Sequence, residues 1–315
     1  MFICFSHFRP FILADDLRVA YTFQSDHLGL LHSVIQKELY KVTAWSSLRF
    51  FQFNLNKYGW ICFGAPSINI ELELQSTDLP TLQNVVDLGL RYSSDLTFSE
   101  QFSTQTRKSR MLLICILRNF HNQEVELILY KTCVRPVLEY CPLVLSNTCI
   151  CDKLKIESVQ RYFTCKLLGY DCGEDYTSRC ISLNLDPLWM RRLSINLIFF
   201  FKVLHKISFS DSKEIQFSPE DSYNLRNQTG TVTKTTCKTT PRANYFMVMC
   251  SKIWNSLLLE IRTCDSIISF KRLLYKLLHP NTHRGEVKLS APKNDMTLMT
   301  LNASIMLKTL LLSMN

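Results

Sequence analysis

An α+β fold is predicted for this chain, with antiparallel β-structure in about the first 95 residues and helices through most of the remainder. Three observations carry the prediction. FILADDLRVAY, residues 11–21, sets two apolar segments about a polar centre; INIELEL, residues 68–74, alternates apolar and polar positions; and from about residue 96 the apolar residues recur at three- and four-residue steps.

The elements follow in order. Phe11–Ala14 and Leu17–Tyr21 flank Asp15 and Asp16 in the pattern of a β-hairpin. Asp26 is placed to cap a helix whose apolar face runs through Leu28, Leu31, Ile35, Leu39, Val42 and Trp45. FNLNKYGWICFG, residues 53–64, predicts a turn and a strand, with Asn54, Asn56 and Gly59 supplying the turn chemistry. INIELEL predicts a half-buried strand, and VVDLGLRY from Val85 another short one with a bulge at Gly89. Helices are predicted over 97–120, 123–140, 152–168 and 187–206, the last beginning at Pro187, where a missing amide proton costs nothing. Residues 207–243 are rich in Ser, Thr, Lys and Asn and predict a polar linker or mobile loop. A second helical block from Tyr245 to Leu278 carries Trp254 and the stripe Ile267, Phe270, Leu273, Leu274 and Leu277. The tail from 285 to 315 has no sustained pattern and is expected to be poorly ordered, with a short helix at 306–312.

The totals narrow the function. The hydrophobic fraction of 47% over 315 residues is ample for a core, which sets aside a disordered chain. The 36 Lys and Arg exceed the 27 Asp and Glu, and over residues 101–206 alone the counts are 15 and 9, so the helical part is the basic part. Such an excess suits a polyanion. Arg107, Lys108 and Arg110 form its densest cluster, and Lys153, Lys155 and Arg161 add to it; phosphate contact and a merely solvated helix face are both open readings. The 13 Cys lack paired CxxC spacing, and the lone CxC of Cys149 and Cys151 has no partner pair, so reduced thiols are expected rather than zinc. Arg9 and Pro10 break the apolar start, and Asn196 and Lys202 interrupt LSINLIFFFKVL. These breaks predict an intracellular protein, nuclear or cytoplasmic, neither secreted nor membrane-spanning.

Adjacent strand residues point to opposite faces, so Asp15 and Asp16 can serve one site only where the backbone turns. Two carboxylates there repel unless a divalent cation neutralises them, and hard oxygen ligands favour Mg2+ or Mn2+. A solvated turn is the plainer alternative.

The order of segments adds a resemblance. Ala14-Asp15-Asp16 after an apolar strand, an amphipathic helix, FNLNKYGWICFG and VVDLGLRYSSDLTF resemble the palm of the reverse transcriptases of non-LTR, LINE-like (jockey or CR1 type) retrotransposons. LYKTCVRPVLEYCPLV, IESVQRYFTCKLLG, LDPLWMRRLSINLIFFFKVLH, IWNSLL and SFKRLL are similar to the region that follows the palm in those enzymes, and the likeness runs over about residues 11–278. It implies RNA-directed DNA polymerisation on an RNA template and DNA primer, with no small-molecule cofactor. Asp15 and Asp16 would be metal-binding and catalytic, and Lys57, in the family's Phe-Asn-x-x-Lys segment, would orient the triphosphate or protonate pyrophosphate. The strand at Leu88 and Gly89 would grip the primer, and the basic helices would form a thumb on the duplex backbone. Phe98, Trp254 and Phe270 are expected in the core.

The pattern also departs from the family. Its first palm strand, with another metal-binding aspartate, and its fingers are not represented; Leu13 stands where an aromatic is usual, and Leu258 where proline is usual. The expectation is therefore the carboxy-terminal part of a truncated or decayed element, its first Met a chance start, inactive alone as a polymerase. Its organisation would be a partial palm at 1–95, a helical thumb-like region at 96–206, a linker at 207–243, a helical segment at 244–284 and a tail at 285–315. A nucleic-acid-binding helical module and a helical protein-interaction scaffold are the alternatives.

Overall fold

A computed structural model of the chain describes residues 9–13, 16–22, 28–50, 52–54, 57–64, 70–147, 149–169, 174–208, 217–218, 229–233, 236–237 and 245–279. Asp15, the expected cap Asp26, the first residues of INIELEL, most of 207–243 and the tail with its expected short helix lie outside them. The chain divides into two compact units, Met1–Thr97 and Phe98–Asn315, and the mixture of helices with small antiparallel sheets is the α+β fold expected.

In the first unit, β1 (Arg9–Leu13) and β2 (Asp16–Ala20) pair antiparallel, with Arg9 opposite Ala20 and Leu13 opposite Asp16. Asp16, expected at the turn, instead opens the second strand. Helix α1 (Leu28–Leu48) buries Leu31 and Val42 against β3 (Leu72–Leu74), whose Leu72 and Leu74 face inward. The Gln36 side-chain amide fixes this packing by acting as a strand neighbour. Its Nε2 donates to the Glu73 carbonyl at 2.9 Å, and its Oε1 accepts from the Glu73 amide at 3.0 Å.

Two further hairpins follow. β3 turns into β4 (Thr77–Leu79) through Gln75 and Ser76, at φ of 52° and 59°. VVDLGLRY is two strands rather than one: β5 (Asn84–Asp87) and β6 (Leu90–Ser93) pair antiparallel. Leu88 and Gly89 between them have φ of 48° and 79°. Successive left-handed residues match the twist of paired strands, so Gly89 makes a tight turn and not a bulge. FNLNKYGWICFG forms no strand among its described residues, only a parallel bridge from Trp60 to Thr81. Gly59 permits that approach, because a Cβ there would lie 2.6 Å from Leu82 Cδ1.

The second unit begins with α2 (Ser99–Asn119). α3 (Gln123–Leu129), capped by Asn122, runs into a π-helical turn at Tyr130–Val134 and then α4 (Arg135–Leu138), so the predicted helix 123–140 is interrupted. Pro136 explains the interruption: its ring cannot lie beneath the carbonyl four residues earlier, and widening the preceding turn relieves the clash. α5 (Ile150–Leu168) packs along α2, and Tyr130 stacks on Phe163 with ring centroids 4.2 Å apart. A short helix absent from the sequence reading, α6 (Tyr176–Ser182), is capped by Asp175 and packs on α5.

Helix α7 (Leu188–Leu204) connects this bundle to a second apolar centre. The block 245–278 is three helices: α8 (Phe246–Asn255), α9 (Leu259–Arg262) and α10 (Ile267–Leu278), the last capped by Ser266. Phe200 and Phe201 of α7 meet Trp254 and Phe270, all four fully buried, while Phe98 is only half-buried. Within the stretch expected to be a polar linker, Val232 is buried in this core. The Asn255 side chain accepts from the Val232 amide at 2.9 Å and donates to its carbonyl at 3.0 Å, and the Trp254 indole donates to the Gly230 carbonyl at 2.8 Å. Among the described residues no helix is long and apolar enough to cross a membrane.

Candidate nucleic-acid interface

The six cations singled out in the sequence fall on two neighbouring helices. Arg107, Lys108 and Arg110 lie on α2, and Lys153, Lys155 and Arg161 on α5. The helices run in the same direction: Ser99 at the start of α2 donates to Asp152 at the start of α5 at 2.7 Å, and Arg110 further along donates to Ser158 at 3.0 Å. They pack because α2 turns Phe102, Leu113 and Ile116 inward and α5 turns Ile156, Val159 and Phe163 inward.

The cations are not equivalent. Arg107 and Lys108 are exposed and have no ion-pair partner among the described residues; Arg110 is exposed and reaches across to α5. Lys155 is exposed but paired with Asp152 at 2.8 Å. Burial pushes the Asp152 carboxyl up, yet hydrogen bonds from Lys155, Ser99 and Cys149 outweigh it and hold the group below its usual range. Lys153 is half-buried, and its ammonium titrates below the usual lysine range through desolvation and then the neighbouring Arg192 charge. Arg161 is half-buried with its guanidinium 4.7 Å from the centre of the Tyr176 ring. Three of the six are therefore presented outward without a carboxylate neighbour, and all three belong to α2.

Beneath this face lies a polar network that composition does not disclose. Tyr130 donates to Gln160 Oε1 at 2.8 Å; Gln160 Nε2 donates to the Tyr176 hydroxyl at 3.1 Å; Tyr176 donates to Glu157. The Glu157 carboxylate accepts the Leu188 and Trp189 amides at 3.0 and 3.1 Å, and so caps α7 from another helix. Desolvation raises the Glu157 pKa against the pull of these donors. The Tyr176 hydroxyl is pushed up by burial and by Glu157. The only sequence signal was Glu157 and Gln160 lying close to the Ile156, Val159 and Phe163 face of one helix.

In the first unit, Asp16 opens β2 and Lys57 is exposed in a turn, its amide donating to the Asn54 carbonyl at 2.9 Å. Arg18, two residues along β2 from Asp16, is ion-paired with Asp87, which ties the hairpin to the β5–β6 hairpin. The donor chemistry of neighbouring aspartates suits Mg2+ or Mn2+. Among the described residues Asp87 is paired with Arg18 and Glu38 with Lys41, and no group of three or more metal ligands is assembled. The described residues do not complete a metal site, and no step is derived through one. No protein-family model, no curated protein and no solved structure matches the chain.

Proposed function

We propose that this chain is the palm-end, thumb-like and carboxy-terminal part of a non-LTR retrotransposon reverse transcriptase, and that these 315 residues act in binding nucleic acid. The observation that carries the reading is the order of segments: the Ala-Asp-Asp hairpin, the amphipathic helix and the VVDLGLRY hairpin precede a basic helical unit whose leading helix exposes Arg107, Lys108 and Arg110. Asp15, Asp16 and Lys57 are the residues assigned by resemblance to nucleotidyl transfer, with Mg2+ or Mn2+ as the metal. Two adjacent aspartates give an incomplete ligand set for two-metal chemistry, so binding without primer extension is the activity assigned to residues 1–315.

The test is binding of a labelled primer–template duplex as a function of salt. Three uncompensated cations on phosphates predict a slope of log K against log salt of about −3, reduced by about 0.9 in Arg107→Ala or Lys108→Ala and nearly unchanged in Lys153→Ala. Salt-independent or absent affinity would exclude the reading. Primer extension dependent on Mg2+ and lost in Asp15→Asn and Asp16→Asn would instead assign full polymerase activity to this chain. A protein-scaffold reading is favoured by the exposed Met111, Leu112 and Ile114 on α2, and it predicts a partner whose affinity barely responds to salt.

A further inference from the structure

We infer that the outer face of α10 is a second phosphate-binding surface, on which Lys271, Arg272 and Lys276 grip the backbone of a nucleic-acid duplex without reading its bases. The inference rests on the nucleic-acid reading above and adds a site to it, on a helix that the reading does not use.

Residues 267–278 separate apolar from charged positions around a single helix. Phe270, Leu274 and Leu278 are buried, and Phe270 stacks on Phe201 and Trp254 with ring centroids 4.5 and 5.6 Å apart, so the helix is fixed in the second apolar centre. On the other side Lys271, Arg272 and Lys276 are exposed, and none has an ion-pair or hydrogen-bond partner among the described residues. Arg272 and Lys276 lie one turn apart on the same face, with Lys271 beside Arg272. The His279 ring covers one face of Tyr275, with centroids 4.0 Å apart, so this surface offers charge rather than a platform for a base.

Carboxylates do not neutralise this face. α10 contains no Asp or Glu. Asp265 lies just before the Ser266 cap, and Asp186 meets the far end of the helix, where His279 Nε2 is 2.7 Å from its carboxylate. Elsewhere cations with a carboxylate in reach use it, as Lys155 does with Asp152 and Arg191 with Glu139. From Lys271 to Lys276 the helix axis advances about 7.5 Å. Over that length a duplex carries about four phosphate charges, so three cations held there match its backbone in charge density. An anionic bilayer fits less well, because a helix lying on a membrane inserts its apolar face and that of α10 is buried in the core.

The experiment measures fluorescence anisotropy of residues 1–315 with labelled duplexes of two unrelated sequences over a range of salt. With α10 engaged, the wild-type slope of log K against log salt should steepen from about −3, the value for α2 alone, to about −5. Lys271→Ala, Arg272→Ala and Lys276→Ala should each reduce its magnitude by about 0.9, alike for both sequences, whereas Arg272→Lys should retain it. A slope unchanged in all three alanine variants, with the Arg107→Ala effect intact, overturns this site and leaves the nucleic-acid reading standing. A loss confined to one sequence overturns the assignment to the backbone. No salt-dependent binding to either duplex overturns both readings. Vesicles of phosphatidylcholine and phosphatidylserine serve as the comparison: binding to them that is lost in the alanine variants, with duplex binding unchanged, would give the face to a membrane and overturn the proposal. Because the three side chains are exposed, the variants should keep the wild-type circular dichroism spectrum and unfolding midpoint, which separates lost contacts from lost fold.

Discussion

Replacing Asn255 by alanine should detach the 229–233 segment from the second apolar centre. The side chain satisfies both backbone groups of Val232, a residue 1% exposed, at 2.9 and 3.0 Å. Leaving a buried donor or acceptor without a partner costs about 1–3 kcal/mol for each group. Asn255 is itself half-buried, so water can reach part of the vacated position, and a loss of about 2–4 kcal/mol is expected for the pair. With a denaturant slope of about 2–3 kcal/mol/M, the urea midpoint of this unit should fall by about 1 M. Hydrogen exchange should show the Val232 amide losing protection first. Asn255→Asp keeps an acceptor for the Val232 amide but loses the donor to its carbonyl, so it should fall between wild type and Asn255→Ala at neutral pH and recover in acid, where a protonated carboxyl can donate. A change below about 0.5 kcal/mol in Asn255→Ala, with Val232 protection intact, would refute the argument that the clamp holds this segment.

Further outcomes can be checked on the same protein. The Asp152 carboxyl is held below its ordinary value of 3.8, so its stabilising contribution is present above that pH and is lost as the pH falls through the lower folded value. Asp152→Asn should cost about 1–3 kcal/mol at neutral pH and flatten the acid limb of the urea-midpoint profile. Gly59→Ala places a Cβ 2.6 Å from Leu82 Cδ1 and 3.0 Å from the Pro80 carbonyl oxygen, so it should destabilise the first unit by about 1–3 kcal/mol and deprotect the Leu82 amide, which donates to Trp60. Tyr130→Phe keeps the stack on Phe163 and removes the donor to Gln160, a loss of about 1–2 kcal/mol by denaturant unfolding; an unchanged midpoint would mean that the buried network contributes nothing.

The long helices were legible because each keeps an apolar face for four or more turns. α2, α5 and α7 begin and end within two residues of their predicted limits. The shorter elements were not. α6 is two turns of largely polar sequence held by the Asp175 cap, too brief for a period to emerge. The turn that follows INIELEL and the one that divides VVDLGLRY depend on left-handed backbone at Gln75, Ser76 and Leu88, residue types that carry weak turn signals. The π-turn was foreshadowed by Pro136, although a proline alone does not say whether a helix kinks, ends or widens.

The amino-acid sequence by itself determined the α+β class, the basic helical region, the Trp254 and Phe270 core positions and the resemblance that motivates the functional proposal, because periodicity, composition and motif order are properties of a string. Only the tertiary structure decided which charges are available. Each helical residue advances about 100° around the axis. Lys155 and Tyr162 therefore face solvent while Arg161, one position before Tyr162, lies against Tyr176. Glu157 and Asp152 spend their charge on a helix terminus and on neighbouring side chains from other elements. Whether a charged residue reaches a ligand depends on the partners that packing brings to it from distant parts of the chain, and those partners are not written in its own neighbourhood.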